Sequence, residues 1–219
     1  MKKKLIIFDL DGTLIDTLDD LKESVNFALS HFSFPIRTRE QVRKDIGNGV
    51  AKLMERSTPG GLNNPHYEEA LEIFKKHYAI HYADQTKPYE GIVNTVKELR
   101  TAGFLLSVCT NKIDDVAHIL IEGMFPGLFH FILGDIDGVP KKPAPNMINN
   151  ILSHFGLNKE DAVYIGDTNV DEETALNSGL DYFLLTYGYR TKEELLNTCK
   201  GRDFLNSPEE ILEHFKSEI

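Results

Sequence analysis

Residues 8–16 read FDLDGTLID and follow directly on the apolar run Leu5-Ile6-Ile7. A short run of aliphatic residues ending at a turn signal reads as a strand buried on both faces of a sheet. Asp9 and Asp11 stand where that strand ends, and Gly12 and Thr13 supply the turn that must follow. In open parallel α/β sheets, ligands bind in the crevice outside the carboxyl ends of the strands. A carboxylate pair on such an edge is therefore a candidate site rather than an ordinary charged loop, provided that other strand ends supply matching groups.

Several do. Outward from this segment, helix and strand patterns alternate from Pro88 to the end of the chain. A helix over 93–102 stops at Gly103, and the apolar run Phe104 to Cys109 delivers Thr110 and Asn111. A helix over 114–122 and a short strand over 131–133 follow, running into Gly134-Asp135. Pro145 opens a helix that ends near Gly156, which fits the preference for proline at helix starts and glycine at helix ends. The strand Ala162 to Ile165 delivers Gly166-Asp167, a helix covers 171–178, and a strand over 182–185 and a helix from Ser207 complete the pattern. Such alternation predicts a parallel sheet covered by helices on both faces.

Between the first strand and this series the pattern changes. Leu18, Leu21, Val25, Ala28, Leu29 and Phe32 recur at helical spacing, with Asp16 or Thr17 as N-cap. Residues 38–83 carry two or three further helical patterns, broken at Gly47-Asn48-Gly49 and at Pro59 to Pro65. The expected fold is thus α/β: a doubly wound, Rossmann-like core of residues 1–15 and 86–219, with an all-helical cap inserted at 16–85. The two crossings, near Asp16 to Leu18 and Asp84 to Pro88, are hinge candidates.

Composition narrows the function. The chain has 219 residues, 41% of them hydrophobic and 26% charged, as in an ordinary globular protein with a sizeable core. A formal net charge of -10 disfavours nucleic acid and anionic membranes as partners. It also means that an anionic substrate needs a locally positive site, which a metal ion and one lysine can supply. The two cysteines, Cys109 and Cys199, form no CxxC pair, and Cys109 lies inside an apolar strand where a thiol is inert. The apolar stretch after the N-terminal lysines stops at Asp9, too short for a secretion signal. A cytoplasmic protein is expected.

The polar groups at the strand ends form one chemical set: Asp9 and Asp11; Thr110 and Asn111; the Lys142-Pro143-Ala144-Pro145 loop; and Asp167, Thr168 and Asp171. Crowded carboxylates repel one another unless a cation sits among them. Oxygen ligands favour Mg2+, which characteristically shares a substrate phosphate. Asp9 and Asp167 are the evident side-chain ligands, while a lysine and a strand-end threonine suit phosphate oxygens. A carboxylate can attack phosphorus, and a second one two residues away can protonate the leaving alcohol.

Taken in order, D-x-D-G-T at Asp9 to Thr13, the hydroxyl at Thr110, the lysine of K-P-x-P at Lys142 and G-D-T-x-x-D at Gly166 to Asp171 resemble the motifs of the haloacid dehalogenase superfamily over essentially the whole chain. The resemblance implies Asp9 as nucleophile and Asp11 as general acid/base. Thr110 and Lys142 become phosphate binders, and Asn111, beside Thr110, is a third phosphate-binding candidate. It further implies Mg2+ held by Asp9, the backbone carbonyl of Asp11 and Asp167, with Asp171 supporting the metal shell. Within the superfamily the chain is most similar to phosphoglycolate phosphatases: Gly47-Asn48-Gly49 with Leu53, Pro88-Tyr89-Glu90-Gly91 (glutamate for the usual proline), and Tyr187-Gly188-Tyr189-Arg190 carry that likeness.

The expectation is a Mg2+-dependent phosphatase acting on a small phosphorylated metabolite, as a monomer or homodimer, with 2-phosphoglycolate the leading substrate. Asn48 and Lys52 are the cap candidates for the substrate's other end. A phosphosugar mutase of the β-phosphoglucomutase kind and a pyrophosphatase or nucleotidase share the core residues. A phospho-receiver or degenerate phosphate-binding module is the non-enzyme alternative, although receivers need neither the insert nor Asp11. Lys141 and the Asp135/Asp137 pair read as solvated neighbours. His77 and His81, four apart on a helix, lack an evident third ligand.

Overall fold

In a computed structural model of the chain, which describes residues 3–47, 49–201 and 203–216, the α/β expectation holds. Six strands form one parallel sheet in the order β5-β4-β1-β6-β7-β8. These are β1 (Leu5–Phe8), β4 (Leu105–Ile113), β5 (Phe131–Asp135), β6 (Ala162–Gly166), β7 (Asp181–Leu185) and β8 (Phe204–Leu205). Helices α5 (Ile92–Thr101), α6 (Asp114–Met124), α7 (Asn146–Phe155), α8 (Asn169–Ser178), α9 (Lys192–Thr198) and α10 (Pro208–Lys216) alternate with them. Two further two-residue strands, β2 (Ile15–Asp16) and β3 (Lys87–Pro88), pair with each other where the chain crosses out of this series and back.

β1 is central because all four of its residues are fully buried. Its neighbours set the site: Phe8 lies opposite Val108 of β4 and Ile165 of β6. One step further, the chain emerges as Asp9 level with the ends of both. The direction of strand addition reverses at β1, so this is the topological switch point of the sheet. Beneath it, Leu5 and Ile7 pack with Tyr164, Ala162 and Cys109 and with one face of α7 formed by Met147, Ile148, Ile151 and Leu152. That spacing is the apolar stripe of an amphipathic helix. α7 ends at Gly156, whose φ of +63° closes it in the left-handed conformation.

Chain contacts divide the molecule into two compact units, 1–15 with 88–219, and 16–87. The second contains α1 (Leu18–His31), α2 (Arg39–Asp45), α3 (Val50–Ser57) and α4 (Tyr67–His81). α1 packs on α4, burying Leu21, Val25, Ala28 and Leu29 of one and Ala70, Leu71, Phe74 and Tyr78 of the other. Phe32 does not continue α1 but stands at its C-cap. Asp16 Oδ1 accepts the Leu18 amide at 3.1 Å, whereas the Thr17 side chain makes no capping bond. One buried charge organises this unit. Asp20 accepts the amides of Gln85 and Thr86, both at 2.9 Å, and the Thr86 hydroxyl at 2.7 Å, tying the end of the segment back to α1.

Four elements differ from the sequence reading. β4 runs on through Thr110 and Asn111 to Ile113, with a register shift after Cys109 that leaves the strand irregular there. α8 starts two residues earlier than expected, because Thr168 and Asp171 form a capping box. α9 and β8 carried no readable signal, being one short helix and a two-residue strand.

Candidate active site

The site is built on β1, β4, the 142–145 loop and the β6–α8 junction, all within the first unit. Asp9, Asp167 and Asp171 are buried and offer carboxylate oxygens within 4.8 Å of one another. Among the described residues this is the one group of three or more potential metal ligands. Lys142 Nζ lies 2.8 Å from Asp9 Oδ1 and 2.9 Å from Asp171 Oδ1. Three buried carboxylates against one buried ammonium leave an excess of negative charge that a divalent cation would neutralise.

The protonation tendencies report the same imbalance. Burial, with repulsion from Asp171 and Asp11, pushes the Asp9 carboxyl up to about 7 despite the pull of Lys142. Asp167 is driven well above the usual carboxylate range by burial and by Asp171 and Asp9. Burial also opposes ionisation of Asp171, yet Lys142 and Thr168 outweigh it and hold that group low. Desolvation likewise works against the charged Lys142, and Asp171 and Asp9 reverse it, so the ammonium is retained. Burial takes the Cys109 thiol up to about 12, which makes it inert.

Hydrogen bonds separate the roles of the three aspartates. Both Asp171 oxygens are consumed by the protein: Oδ1 by Lys142 and the Tyr164 hydroxyl, Oδ2 by the amides of Asp167 and Thr168 and the Thr168 hydroxyl. Asp171 is thus a fixed anchor. Asp167 receives the Thr13 hydroxyl at 3.2 Å and the Tyr189 amide at 2.6 Å, one on each oxygen. Asp9 Oδ1 takes the Leu10 amide at 2.7 Å as well as Lys142. Asp9 and Asp167 therefore keep lone pairs for a cation. An all-oxygen donor set of this kind fits a hard divalent ion.

Close packing makes two glycines obligatory. Gly12 has φ of +86°, and a Cβ there would collide with the Asp167 carboxylate. A Cβ on Gly166 would collide with the Asp171 side chain.

Asn111 is tied to the lysine loop. Its amide forms a two-way clasp with the Lys142 backbone, donating to the carbonyl at 3.0 Å and accepting the amide at 2.9 Å. Its side chain thereby positions the lysine loop. Thr110 is buried within β4, where the register shifts after Cys109, its Oγ1 accepting the Lys112 amide at 3.2 Å. Lys142 is buried, while its neighbour Lys141 is half exposed and pairs with Asp135 at 2.7 Å. Asp11 is partly exposed and forms an ion pair with Lys112 at 2.9 Å.

In the second unit, Lys52 on α3 pairs with Glu55 at 2.7 Å. Asn48 lies outside the described residues. His77 and His81 stack on each other, and their Nδ1 atoms contact Ser24 at 3.0 Å and Asp84 at 2.7 Å.

Sequence reasoning missed Thr13, Tyr164, Lys112 and the Tyr189 amide. Thr13 closes the D-x-D-G-T run, and Lys112 is a charge next to a strand end, so both carried a usable signal. Tyr164 sits two residues before Gly166, on the face of β6 that alternation turns toward Lys142. The Tyr189 amide is backbone and has no signature.

A profile of haloacid dehalogenase-like hydrolases matches residues 6–185. The chain belongs to this family. Among curated members of the haloacid dehalogenase-like family, it is 35% identical over 192 residues to phosphoglycolate phosphatase 1 of Pseudomonas aeruginosa, covering 85% of this chain and 70% of that one. It is 34% identical to the phosphoglycolate phosphatase of Vibrio cholerae, covering 89% of each. Among solved structures, a Lactobacillus delbrueckii subsp. bulgaricus protein superposes with a TM-score of 0.92 at 31% identity, covering 98% of this chain and 99% of that one. No helix among the described residues is long and apolar enough to cross a membrane.

Proposed function

We propose that this haloacid dehalogenase-like hydrolase is a Mg2+-dependent phosphomonoesterase for a small metabolite, with 2-phosphoglycolate as the leading substrate. The observation that carries the reading is the buried cluster of Asp9, Asp167 and Asp171, with Lys142 paired to Asp9 and Asp171 and Asp11 two residues beyond Asp9. Relatives of 33–35% identity named phosphoglycolate phosphatase support the substrate.

In this mechanism an Asp9 oxygen attacks phosphorus, and the bond from phosphorus to the ester oxygen breaks. Asp11, as general acid, gives a proton to the departing alkoxide. Asp11 then takes a proton from water, whose oxygen attacks phosphorus and releases phosphate from Asp9. Thr110 and Lys142 hold the phosphoryl oxygens. Asp9, the Asp11 carbonyl and Asp167 would hold Mg2+, whose charge offsets that of the phosphoryl group. Asp171 keeps Lys142 charged and oriented, and the Asn111 clasp fixes its loop. Uncatalysed phosphomonoester hydrolysis is so slow that positioning and charge neutralisation must supply most of the acceleration.

A phosphate-release screen over small phosphorylated metabolites, with and without Mg2+, tests the reading. Phosphoglycolate should give the highest kcat/KM, and chelation should abolish turnover. Preferential conversion of a hexose 1-phosphate to its 6-phosphate without phosphate release would favour the mutase instead.

A further inference from the structure

The ion pair between Lys112 and Asp11 is not used by the mechanism above, and it joins residues 101 apart in the chain. The register explains how they meet. Phe8 is opposite Val108, so three residues past Phe8 and four past Val108 the chain presents Asp11 and Lys112 on adjacent strand ends. Nζ and Oδ1 are 2.9 Å apart. The two partners differ in freedom: the Lys112 side chain is only 6% exposed, while that of Asp11 is 21% exposed. A lysine with a buried stem is a fixed point charge, not a mobile surface cation. The Thr110 hydroxyl accepting the Lys112 amide at 3.2 Å fixes its backbone as well. A short, partly exposed aspartate can adopt more than one rotamer, and a charge-assisted bond to an immobile donor selects one of them.

We propose that Lys112 is a positioning residue for the general acid/base: it selects the Asp11 rotamer from which the leaving oxygen is protonated. This inference rests on the phosphatase reading. A general acid must lie within hydrogen-bond reach of the atom that it protonates, and a misplacement of about 1 Å costs on the order of a hundredfold. Lys112 meets the general acid/base directly, and its influence on the reaction is assigned to that contact.

Leaving-group dependence separates this role from the alternatives. An alkoxide needs protonation as it departs, whereas p-nitrophenolate leaves without it. Pre-steady-state burst rates for p-nitrophenyl phosphate report phosphoryl transfer to the enzyme. Single-turnover rates for 2-phosphoglycolate report the same step with a poor leaving group. Lys112→Met should slow the 2-phosphoglycolate step by about ten- to a hundredfold while changing the aryl burst rate less than about threefold, with KM for either substrate little altered. Lys112→Arg should recover part of the loss. In an Asp11→Asn background, Lys112→Met should cost nothing further, the signature of two residues acting as one unit.

Equal slowing with both substrates, or a further loss in the Asp11→Asn background, would overturn the proposal. So would a rise in KM confined to 2-phosphoglycolate, since that would assign Lys112 to the substrate carboxylate. Should Lys112→Met fail to fold, Lys112→Gln gives the same comparison. If the unsubstituted enzyme with Mg2+ turns over neither substrate, the phosphatase reading fails first, and this inference with it.

Discussion

The two compact units handle charge in opposite ways. In the first, the decisive ions are buried and interlocked: Asp9, Asp167 and Asp171 cluster together, Lys142 pairs with Asp9 and Asp171, and hydrogen bonds occupy both oxygens of Asp171. In the second, most ion pairs are exposed, such as Arg39 with Asp16 and Asp19 or Lys52 with Glu55, and Asp20 is the buried exception. Buried charges are costly and survive only where every partner is in place. Exposed pairs contribute little and can change freely. One sheet edge is therefore chemically constrained, while the helical unit keeps a fold with few fixed polar positions.

The largest expected effect probes the constrained region. Asp9→Asn should lower kcat by at least about a thousandfold, since no other group replaces the nucleophile. The same change removes one of three crowded carboxylates, so the metal-free protein should be no less stable at pH 8 than the unsubstituted one. Kinetics together with urea titration would show both, and a parallel loss of stability would break the contrast between activity and electrostatic strain.

Lys142→Met leaves Asp9 and Asp171 buried without their cation. It should destabilise the fold by about 3–5 kcal/mol and abolish detectable turnover. Thermal or chemical unfolding measures the first effect. A mild loss would mean that the cluster is wetter than its burial indicates.

Proton linkage gives an intermediate effect. Asp9 and Asp167 have folded-state pKa values raised by burial, Asp9 to about 7. A raised carboxyl favours folding below its ordinary value near 3.8 and loses that contribution as pH climbs through about 7. Asp171, held low, acts in reverse, its contribution being lost only in strong acid. Without metal, melting temperature should therefore fall between pH 5 and pH 8. Mg2+ should stabilise more at pH 8 than at pH 5, because it competes with protons for the same oxygens. Differential scanning fluorimetry in chelator and in Mg2+ measures this, and a Mg2+ effect independent of pH would contradict it.

The helical unit supplies the small end of the scale. Asp20→Ala should cost about 1–3 kcal/mol, because the amides of Gln85 and Thr86 lose their acceptor. Arg39→Ala should alter stability by no more than about 0.5 kcal/mol, as its side chain is half exposed. If Arg39→Ala proved as damaging as Asp20→Ala, the distinction between buried and exposed charge in this unit would fail.

Much of the architecture was legible in the sequence because burial on both faces forces unbroken apolar runs. Leu5 to Phe8 and Ala162 to Ile165 are such runs, each followed by an acid and a glycine. Short elements escaped notice: β8 is two residues long, too few to establish a period. At the site, chain order indicated which residue types gather but not which atoms are already committed. Asn111 looked equivalent to Thr110 until its amide was found clasping the Lys142 backbone. Lys112 went unread because sequence does not reveal that its stem is buried. Asp20 gave no signal at all, since its partners lie 65 and 66 residues away on backbone amides that every residue possesses.

The central claim, that the gathered acids make Asp9 a phosphoryl acceptor, is tested most directly by acid-quenching the enzyme during turnover of 32P-labelled phosphomonoester and mapping the labelled peptide. Label should appear on the peptide containing Asp9, accumulate further in Asp11→Asn, and vanish in Asp9→Asn or in chelator. Full turnover with no protein-bound phosphate at any quench time, or label on a peptide lacking Asp9, would contradict the account.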